Sequence, residues 1–239
     1  MLISDISTIV LHGADELGVP ISPGAIAAFC KYNELLELRG EYVNLTAITG
    51  ACDVARLHFL DSLALLNATR FAGARVIDIG SGAGFPGVPL KIVERSISLT
   101  LLDASGKRVA FTTELCDALE LDAICIHARA EDAARYPDLR EQYDIAVTRA
   151  VARLNILCEL CLPFVSVGGL FIAMKGPDSA DELSEAGDAI VALGAKMHKC
   201  YDYTIPGTDI THRVVLIHKI AKTPEKYPRR FARIKSAPL

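Results

Sequence analysis

The stretch 76–87, VIDIGSGAGFPG, places one carboxylate and four glycines directly after a short apolar run. Glycines at such a turn let the backbone approach a ligand closely, because no Cβ stands in the way. Read through Gly82, Gly84 and Gly87, the spacing fits the G-x-G-x-x-G pattern of dinucleotide-binding turns. A tight strand-to-helix turn without a ligand, with Asp78 capping the helix, has the same appearance. The spacing alone leaves both interpretations open.

Two carboxylates bear on which ligand this turn would hold. Asp78 lies just before the glycines, where it would repel a pyrophosphate but attract a sulfonium or an amino group. Asp103 lies nineteen residues after Gly84, where a carboxylate can accept hydrogen bonds from both hydroxyls of a ribose. That second carboxylate would serve NAD and S-adenosylmethionine equally. Asp78 therefore favours the methyl donor, while a nucleotide and no ligand at all remain alternatives.

The elements that must position these residues follow from the apolar pattern after Arg75. Seven short β-type runs alternate with helical stretches, which predicts a doubly wound α/β fold with helices on both faces of a parallel sheet. The runs are RVIDI, SLTLLD, AICIHA, YDIAVT, GGLFIAMK, HKCYDYTI and RVVLIH. The last two lack a long helical segment between them, so we expect an antiparallel pair at the sheet edge. Ligands bind such folds at the carboxyl ends of the strands, where the glycines and both carboxylates fall.

Up to about residue 70 the pattern is helical. Ser22 and Pro23 predict the start of one helix and Gly40 its end. VNLTAIT interrupts the helical pattern, and ACDVARLHFLDSLALLNA resumes it. We therefore divide the chain into a helical N-terminal region (1–70), an α/β core (71–220) and a basic C-terminal tail (221–239).

The charge of the chain is distributed unevenly. The net charge is -4, but from Lys219 onward seven basic residues stand against Glu225 alone. That segment carries +6, which leaves -10 for the rest of the chain. A basic arm on an acidic body indicates a polyanionic partner, although a solvated tail that only aids solubility has the same composition.

Composition also bears on compartment and metal content. No apolar run is long enough to cross a membrane, and the N-terminus MLISDISTIVLHG lacks the basic start of a signal peptide. Seven scattered cysteines indicate free thiols in a reducing compartment. Cys158 and Cys161 have C-x-x-C spacing, but helical neighbours facing a core explain this pair better than a metal or redox site. We expect a soluble cytoplasmic protein and predict no metal.

A set of motifs in a fixed order resembles one known family. DIGSGAGFPGVPL is followed by LLDASGKRVAF, HARAED, YDIAVTRAVARL and AMKG, with VNLTAIT and HFLDSL upstream and KTPEKYPRR downstream. Together they resemble the bacterial small-subunit rRNA guanine-N7 methyltransferases, a family also called glucose-inhibited division protein B. The resemblance runs from about Tyr42 to the C-terminus, which makes it far more specific than a glycine loop alone.

The resemblance implies a class I methyltransferase fold, a Rossmann-like seven-stranded sheet with helices on both faces and a small helical N-terminal extension. It implies S-adenosylmethionine as donor, S-adenosylhomocysteine as product, and methylation at N7 of one guanine of 16S rRNA near the decoding centre. Its motifs place donor contacts in the glycine loop, after the third strand and after the fourth. Together with the two carboxylates, the predicted donor-binding residues are Asp78, Gly80, Gly82, Gly84, Phe85, Asp103, Ala130, Glu131 and Arg149.

The residues after the fourth strand, TRAVARLN, argue against several other methyl acceptors. They contain neither the Pro-Cys pair used for carbon-5 of pyrimidines nor the N-P-P-Y-like turn used for exocyclic amines. No cluster of histidine and carboxylate suited to O-methylation is evident. N7 of guanine carries an exposed lone pair and no proton at neutral pH, so its methylation depends on placement rather than on a base. We therefore predict direct in-line attack and name no catalytic residue.

RNA contacts must come from basic residues around the pocket or in the tail. Each candidate has an alternative as an ordinary surface charge or, for His58, as a capped and half-buried side chain. The candidates are His58, Lys107, Arg108, Arg153, Lys175, Arg229 and Arg230. We expect a monomer that binds 16S rRNA or the 30S subunit, and no DNA or membrane. The alternatives are a class I methyltransferase acting on a protein or small molecule and, from another class, a nucleotide-binding oxidoreductase.

Overall fold

A computed structural model of the chain describes residues 3–40, 45–149, 152–177 and 179–239. Residues 42–44, where the resemblance begins, and 150–151, within TRAVARLN, lie outside the described residues. The strands are β1 (Arg75–Ile79), β2 (Ser98–Asp103), β3 (Ala123–His127), β4 (Tyr143–Arg149), β5 (Val165–Lys175), β6 (Ala195–Thr204) and β7 (Thr211–Lys219). The α-helices are α1 (Ile3–Glu16), α2 (Pro23–Gly40), α3 (Ala51–Val54), α4 (Asp61–Leu63), α5 (Gly87–Val93), α6 (Gly106–Ala118), α7 (Ala130–Ala133), α8 (Leu154–Cys161), α9 (Ala180–Glu185), α10 (Gly187–Ala192) and α11 (Phe231–Ser236).

The seven strands form one sheet in the order β3-β2-β1-β4-β5-β7-β6. The first five strands pair in parallel, while β7 is antiparallel to both β5 and β6. The predicted α/β fold and the antiparallel pair at the edge are confirmed. In the register of β1 against β2, Ile79 lies opposite Leu102, so the glycine loop begins beside the end of β2. The backbone N–H of Gly80 donates to the carbonyl of Leu102 at 2.8 Å.

Side chains alternate along the strands between two hydrophobic cores, one on each face of the sheet. On one face, Val76 and Leu99 pack in a core that includes buried residues of α2, α5 and α6. On the other face, Ile77 and Leu102 pack in a core shared with α8, α10 and α11. Strands buried on both faces read as near-continuous apolar runs, which is why the sequence pattern identified them.

The N-terminal region forms part of the first core. The N–H of Ala25 donates to Oγ of Ser22 at 3.1 Å, which confirms the predicted start of α2. Phe29 of α2 and Phe59 lie in the same core as Val88 of α5. Residues 51–67 form a continuous helical run in which a π-helical segment, Ala55–Leu60, follows α3. Because this region shares its core with the sheet, it forms a layer on the sheet rather than a separately packed unit.

The tail packs against the fold instead of extending into solvent as a free arm. Guanidinium nitrogens of Arg140 donate to the carbonyls of Thr223 and Tyr227 at 2.8 and 3.0 Å. Ile234 of α11 is fully buried in the second core. The exposed cations of the tail are Lys222, Lys226, Arg230, Arg233 and Lys235. The basic composition of the tail therefore combines a structural role with an exposed positive surface.

Arg229 is the cation that fastens the tail to α8. Its guanidinium Nη2 lies 2.6 Å from Oε2 of Glu159, and its backbone N–H donates to Oε1 at 2.8 Å. The Glu159 side chain is completely buried. A buried carboxylate requires such partners, because removal of its charge from water is costly. Arg229, a predicted RNA contact, is thus placed in an internal ion pair.

Replacing Arg229 should destabilise the fold strongly. Arg229→Ala leaves the carboxylate of Glu159 buried without its cation, at an expected cost of about 3–5 kcal/mol. Denaturant unfolding followed by circular dichroism measures this difference. Arg230→Ala, the adjacent exposed arginine, is the matched control and should change the free energy of unfolding by less than about 0.5 kcal/mol. Equal effects of the two substitutions would contradict the structural role of Arg229.

Candidate methyl-donor and acceptor cavities

A cavity of about 450 Å³ opens at the carboxyl ends of β1, β2 and β4. The glycine loop forms one side, and the N-terminal region contributes the facing side. Its lining residues include Leu45, Thr46, His58, Gly80, Ser81, Gly82, Ala83, Phe85, Asp103, Ala104, Arg108 and Arg149. This is the edge at which doubly wound sheets bind their ligands. We call it the donor cavity.

Asp103 is fixed in the wall of the donor cavity by backbone N–H groups. Gly82 N–H donates to Oδ2 at 2.9 Å, and Ser105 N–H donates to Oδ1 at 2.8 Å. Each oxygen retains a lone pair for a ligand hydroxyl. Gly80 and Gly82 have φ of 71° and 58°, a region that glycine adopts without strain. The carboxylate and the bare backbone fit the ribose of a nucleoside cofactor.

Gly84 and Gly87 allow close packing behind the loop rather than lining the cavity. A Cβ on Gly84 would lie 2.7 Å from the hydroxyl of Tyr32, and a Cβ on Gly87 would lie 2.9 Å from Oδ2 of Asp78. Neither glycine is among the residues that line the donor cavity. The predicted contact of Gly84 with the donor therefore stays a prediction. In the structure, the space that a side chain at Gly84 would need is occupied by the hydroxyl of Tyr32.

Asp78 lies beneath the glycine loop and is completely buried. Its Oδ2 accepts the N–H of Gly87 at 2.8 Å, while Oδ1 has no hydrogen-bond partner among the described residues. Burial raises the pKa of Asp78 to about 7, although the Gly87 N–H and the charge of Arg149 oppose the shift. The sequence placed Asp78 beside the donor; the structure places it one layer below the cavity wall.

Three stacked rings join the glycine loop to the N-terminal region. Phe85 stacks on Tyr32 of α2, with ring centroids 5.2 Å apart, and on His58 of the π-helical segment at 4.3 Å. The hydroxyl of Tyr32 donates to the carbonyl of Ala83 at 2.5 Å. The guanidinium of Arg149 lies 5.0 Å from the centroid of Phe85. The shape of the loop is thus set by side chains from outside the α/β core.

His58 is held as a neutral imidazole. Its Nδ1 lies 2.7 Å from Nη2 of Arg149, and because arginine only donates, Nδ1 must accept. The proton therefore lies on Nε2, which is 2.7 Å from Oγ1 of Thr46. Burial, followed by the charge of Arg149, lowers the pKa of His58 to about 3. Both ring nitrogens are engaged, so His58 is neither a free cation for RNA nor a general base.

The carboxylate of Asp61 connects the hydrogen-bonded pair of His58 and Arg149 to the antiparallel strands at the edge of the sheet. Oδ2 accepts from Arg149 Nη1 at 2.9 Å, and Oδ1 lies 2.5 Å from the hydroxyl of Tyr203 and 2.8 Å from Nδ1 of His212. Burial alone would raise the pKa of Asp61, but the bonds from His212 and Tyr203 and the charge of Arg149 outweigh it and hold the pKa below its ordinary value.

A second cavity of about 280 Å³ adjoins the donor cavity. Both cavities are lined by His58 and Arg149. The second also has apolar walls from Ile48, Leu57 and Met174 and polar ones from Asp61, Lys175 and His212. We call it the acceptor cavity.

The sequence missed this cluster of histidine and carboxylate because its members are distant in the chain. HFLDSL contains both His58 and Asp61, but His212 follows 151 positions after Asp61. Tyr203 and His212 lie opposite each other in the β6–β7 pair. A pattern of neighbouring residue types has no means of pairing positions so far apart.

Two further sets of predicted residues lie outside the donor cavity. Ala130 and Glu131 begin α7 after β3 and are not among the lining residues, so their contact with the donor stays a prediction. Cys158 and Cys161 are buried side by side on α8 as free thiols. Among the described residues, no group of three or more His, Cys, Asp and Glu side chains could hold a metal ion.

The remaining basic candidates differ in how free they are. Nζ of Lys175 lies 2.7 Å from Glu182, and a guanidinium nitrogen of Arg153 lies 2.5 Å from Glu185. Lys107 at the start of α6 and Arg230 are exposed, and Arg108 lines the donor cavity. Arg108 makes only a long contact of 4.0 Å with Asp103. These last three residues can therefore reach a polyanion without first breaking a close ion pair.

The neutral state of His58 predicts how stability depends on pH. As pH falls below the ordinary histidine pKa, the unfolded chain takes up a proton that the folded chain refuses, so stability falls. His58→Asn should remove about 2 kcal/mol of the stability lost between about pH 8 and pH 5. Urea unfolding at each pH measures this loss, with the exposed His12→Asn as control. Parallel pH dependence in wild type and His58→Asn would refute the assignment.

Sequence comparison places the chain among named relatives. A family model described as rRNA small subunit methyltransferase G matches residues 25–206. The Ribosomal RNA small subunit methyltransferase G of Alkaliphilus oremlandii is 44% identical over 98% of this chain and 99% of its own. The protein of that name from Clostridium perfringens strain SM101 is 41% identical over 94% of this chain and 95% of its own.

Similarity to solved structures extends to the fold. A putative methyltransferase in complex with the Haloferax volcanii Trm112 activator has a TM-score of 0.57 at 14% identity, over 72% of this chain and 93% of that one. M. jannaschii TYW2 in complex with AdoMet has a TM-score of 0.52 at 14% identity, over 66% and 77%. The sheet order, the cavity at the carboxyl ends of its strands and these similarities identify a class I S-adenosylmethionine-dependent methyltransferase fold. The extent and identity of the sequence matches show that the chain belongs to the ribosomal RNA small subunit methyltransferase G family.

Proposed function

We propose that this chain transfers the methyl group of S-adenosylmethionine to N7 of a guanine in 16S rRNA. The observation that carries the proposal is the pair of adjoining cavities that share His58 and Arg149. One has the features of a nucleoside site, and the other has the apolar walls and few polar groups suited to a flat base. Membership of the family supports rRNA as the substrate.

The residues of the donor cavity fit S-adenosylmethionine. Asp103 would hold the ribose hydroxyls, while the backbone at Gly80 and Gly82 allows a close approach. The donor supplies an electrophilic methyl group on a sulfonium. Asp78, buried below the loop with an unpartnered oxygen, adds negative potential under the cavity when ionised. These features favour a cationic nucleoside over a dinucleotide with its pyrophosphate.

The acceptor needs placement and no base, because the lone pair of N7 attacks the methyl carbon directly. Holding the two reactants in line can contribute up to about 7–11 kcal/mol. His58 fits this scheme, since both of its ring nitrogens are already hydrogen-bonded. His58 lines the acceptor cavity and is backed by the rings of Phe85 and Tyr32, so it provides a stiff wall against which a base could be held.

The 30S subunit or free 16S rRNA would meet the exposed cations around the cavities and on the tail. Lys107, Arg108 and Arg230 remain the best placed of the predicted RNA contacts. We propose that the chain acts as a monomer. Among the described residues no helix is long and apolar enough to span a membrane. All seven cysteines are free, which supports action in the cytoplasm.

Replacing Asp103 should weaken donor binding. Asp103→Ala removes the ribose acceptor, and we expect S-adenosylhomocysteine to bind at least about tenfold more weakly in calorimetry. Asp144→Ala is the matched control, because Asp144 pairs with Arg75 near the start of β4, away from the cavity. Unchanged affinity in Asp103→Ala would contradict the placement of the ribose.

The acceptor atom is tested with 16S rRNA or 30S subunits from a strain that lacks the modification. Labelled donor should give 7-methylguanine at one position, and RNA with 7-deazaguanine there should take up no label. Label on a protein or a small molecule, with none on RNA, would favour the alternative methyltransferase. In a thermal-shift assay, stabilisation by NAD and not by S-adenosylhomocysteine would favour the oxidoreductase.

The exposed cations of the tail should contribute to RNA affinity through counterion release. Because the tail is part of the core, substitution is a cleaner test than deletion. Arg230→Gln with Arg233→Gln should reduce the salt slope of RNA binding by about 0.7–0.9 per lost phosphate contact. Lys196→Gln with Lys199→Gln, also exposed but on β6, is the control. A slope unchanged by the tail substitutions would place the RNA elsewhere.

A further inference from the structure

The far wall of the acceptor cavity carries a histidine that the donor cavity lacks. His212 of β7 lines the acceptor cavity together with Ile48, Leu57 and Met174. It does not line the donor cavity, whose wall is shared only through His58 and Arg149. Its side chain is 29% exposed, so it is accessible from the cavity.

The hydrogen bonds of Asp61 fix which nitrogen of His212 can meet a ligand. Oδ1 of Asp61 accepts from Nδ1 of His212 at 2.8 Å, since an ionised carboxylate can only accept. In the neutral ring, Nε2 is then an acceptor. Nε2 has no hydrogen-bond partner among the described residues. The ring of Tyr203 meets that of His212 edge to face at 6.2 Å, which adds to the orientation.

The other polar groups around the acceptor cavity are already engaged. Lys175 Nζ donates to the carbonyl of Ala152 at 2.8 Å and pairs with Glu182. Arg149 is bound to Asp61, to His58 and to the carbonyl of Leu57 at 3.1 Å. Of the side chains described in this lining, His212 is the one with an unused nitrogen that can accept a hydrogen bond.

A guanine placed for attack by N7 keeps its Watson–Crick edge free for this wall. N7 lies on the Hoogsteen edge, which is adjacent to the Watson–Crick edge, so a base with N7 at the donor cavity can turn N1–H and the 2-amino group toward the adjoining acceptor cavity. We propose that the acceptor cavity binds the Watson–Crick edge of the target guanine, with Nε2 of His212 accepting the hydrogen bond from N1–H. The inference rests on the proposed function, because it uses N7 as the methylated atom.

This hydrogen bond would strengthen as the reaction proceeds. The N7 lone pair forms the new N–C bond, the S–C bond breaks with its electrons going to sulfur, and the positive charge passes from sulfur to the base. The developing positive charge on the base makes its N1–H more acidic. The hydrogen bond from N1–H to Nε2 is therefore stronger in the transition state than in the ground state. No proton need leave the base. His212 thereby supplies the stabilisation of product charge that the sequence did not reveal.

The same contact discriminates between purines. Adenine has no hydrogen on N1, so it would set a lone pair against the lone pair of Nε2. A buried acceptor left without its donor penalises the wrong base.

Three variants separate recognition of the base from support of the fold. His212→Phe keeps an aromatic ring but removes Nε2 together with the Nδ1–H that bonds to Asp61, and we expect kcat to fall about 100-fold. His212→Gln restores an acceptor near the Nε2 position and should recover at least about tenfold of that loss. Arg213→Gln, on the same strand but paired with Asp202 and lining neither cavity, should stay within about threefold of wild type. S-adenosylhomocysteine affinity should be unchanged in all three.

Substituted RNA provides the matching test on the substrate. With 1-methylguanine at the target, N7 is intact but N1–H is absent, so the wild-type rate should fall to that of His212→Phe, and His212→Phe should lose nothing further. Inosine, which keeps N1–H, is the control for base replacement. Additive losses from 1-methylguanine and His212→Phe, or an equal loss in Arg213→Gln, would overturn the role of His212. Wild-type protein that fails to methylate N7 of unmodified RNA would instead overturn the proposed function.

Discussion

The buried carboxylate of Asp61 is the interaction on which the site depends. It lies on the N-terminal region and accepts hydrogen bonds from Arg149 of β4, Tyr203 of β6 and His212 of β7. A carboxylate that is 1% exposed is tolerated only with such partners, because its desolvation would otherwise be costly. Both oxygens of Asp61 must be hydrogen-bonded, and this requirement holds β4, β6 and β7 in a fixed position against the N-terminal region.

The aromatic stack transmits the same constraint to the glycine loop. Phe85 lies between Tyr32 and His58, and His58 in turn accepts a hydrogen bond from Arg149. The rings of Tyr32 and Phe85 are in the first core, so they cannot move independently of the packing around them. The loop that lines the donor cavity is consequently shaped by residues that precede the α/β core in sequence. Donor and acceptor cavities share walls because they share this support.

Much of the fold was predictable, for reasons visible in particular residues. Strands buried on both faces appear as apolar runs, and Ser22 with Pro23 marked the start of α2 because capping is local in sequence. Asp103 was identifiable because it follows its strand at a typical distance from the glycines. The motif order identified the family without any knowledge of contacts, and the comparisons confirmed it.

The rest depended on contacts between distant residues. Gly84 looked like part of a cofactor cradle, but its space is taken by Tyr32, more than fifty positions earlier. Arg229 looked like part of a free basic arm, yet it neutralises the buried Glu159. Asp61 and His212 form a pair that no spacing rule connects. In each case the sequence shows the type and charge of the residue, but the residue that it contacts is determined by the tertiary fold.

The strand order gives β7 a particular place in the assembly of the molecule. Because β7 lies between β5 and β6, the edge strand β6 joins the sheet only through β7. His212 and Tyr203 reach Asp61 from these two strands, so the wall of the acceptor cavity that His212 lines depends on the pairing of β7 with β5. Loss of that pairing would release both strands together, because β6 has no other neighbour among the described strands of the sheet. The donor cavity lies at the ends of β1, β2 and β4, so the two cavities differ in how far they rely on the antiparallel edge.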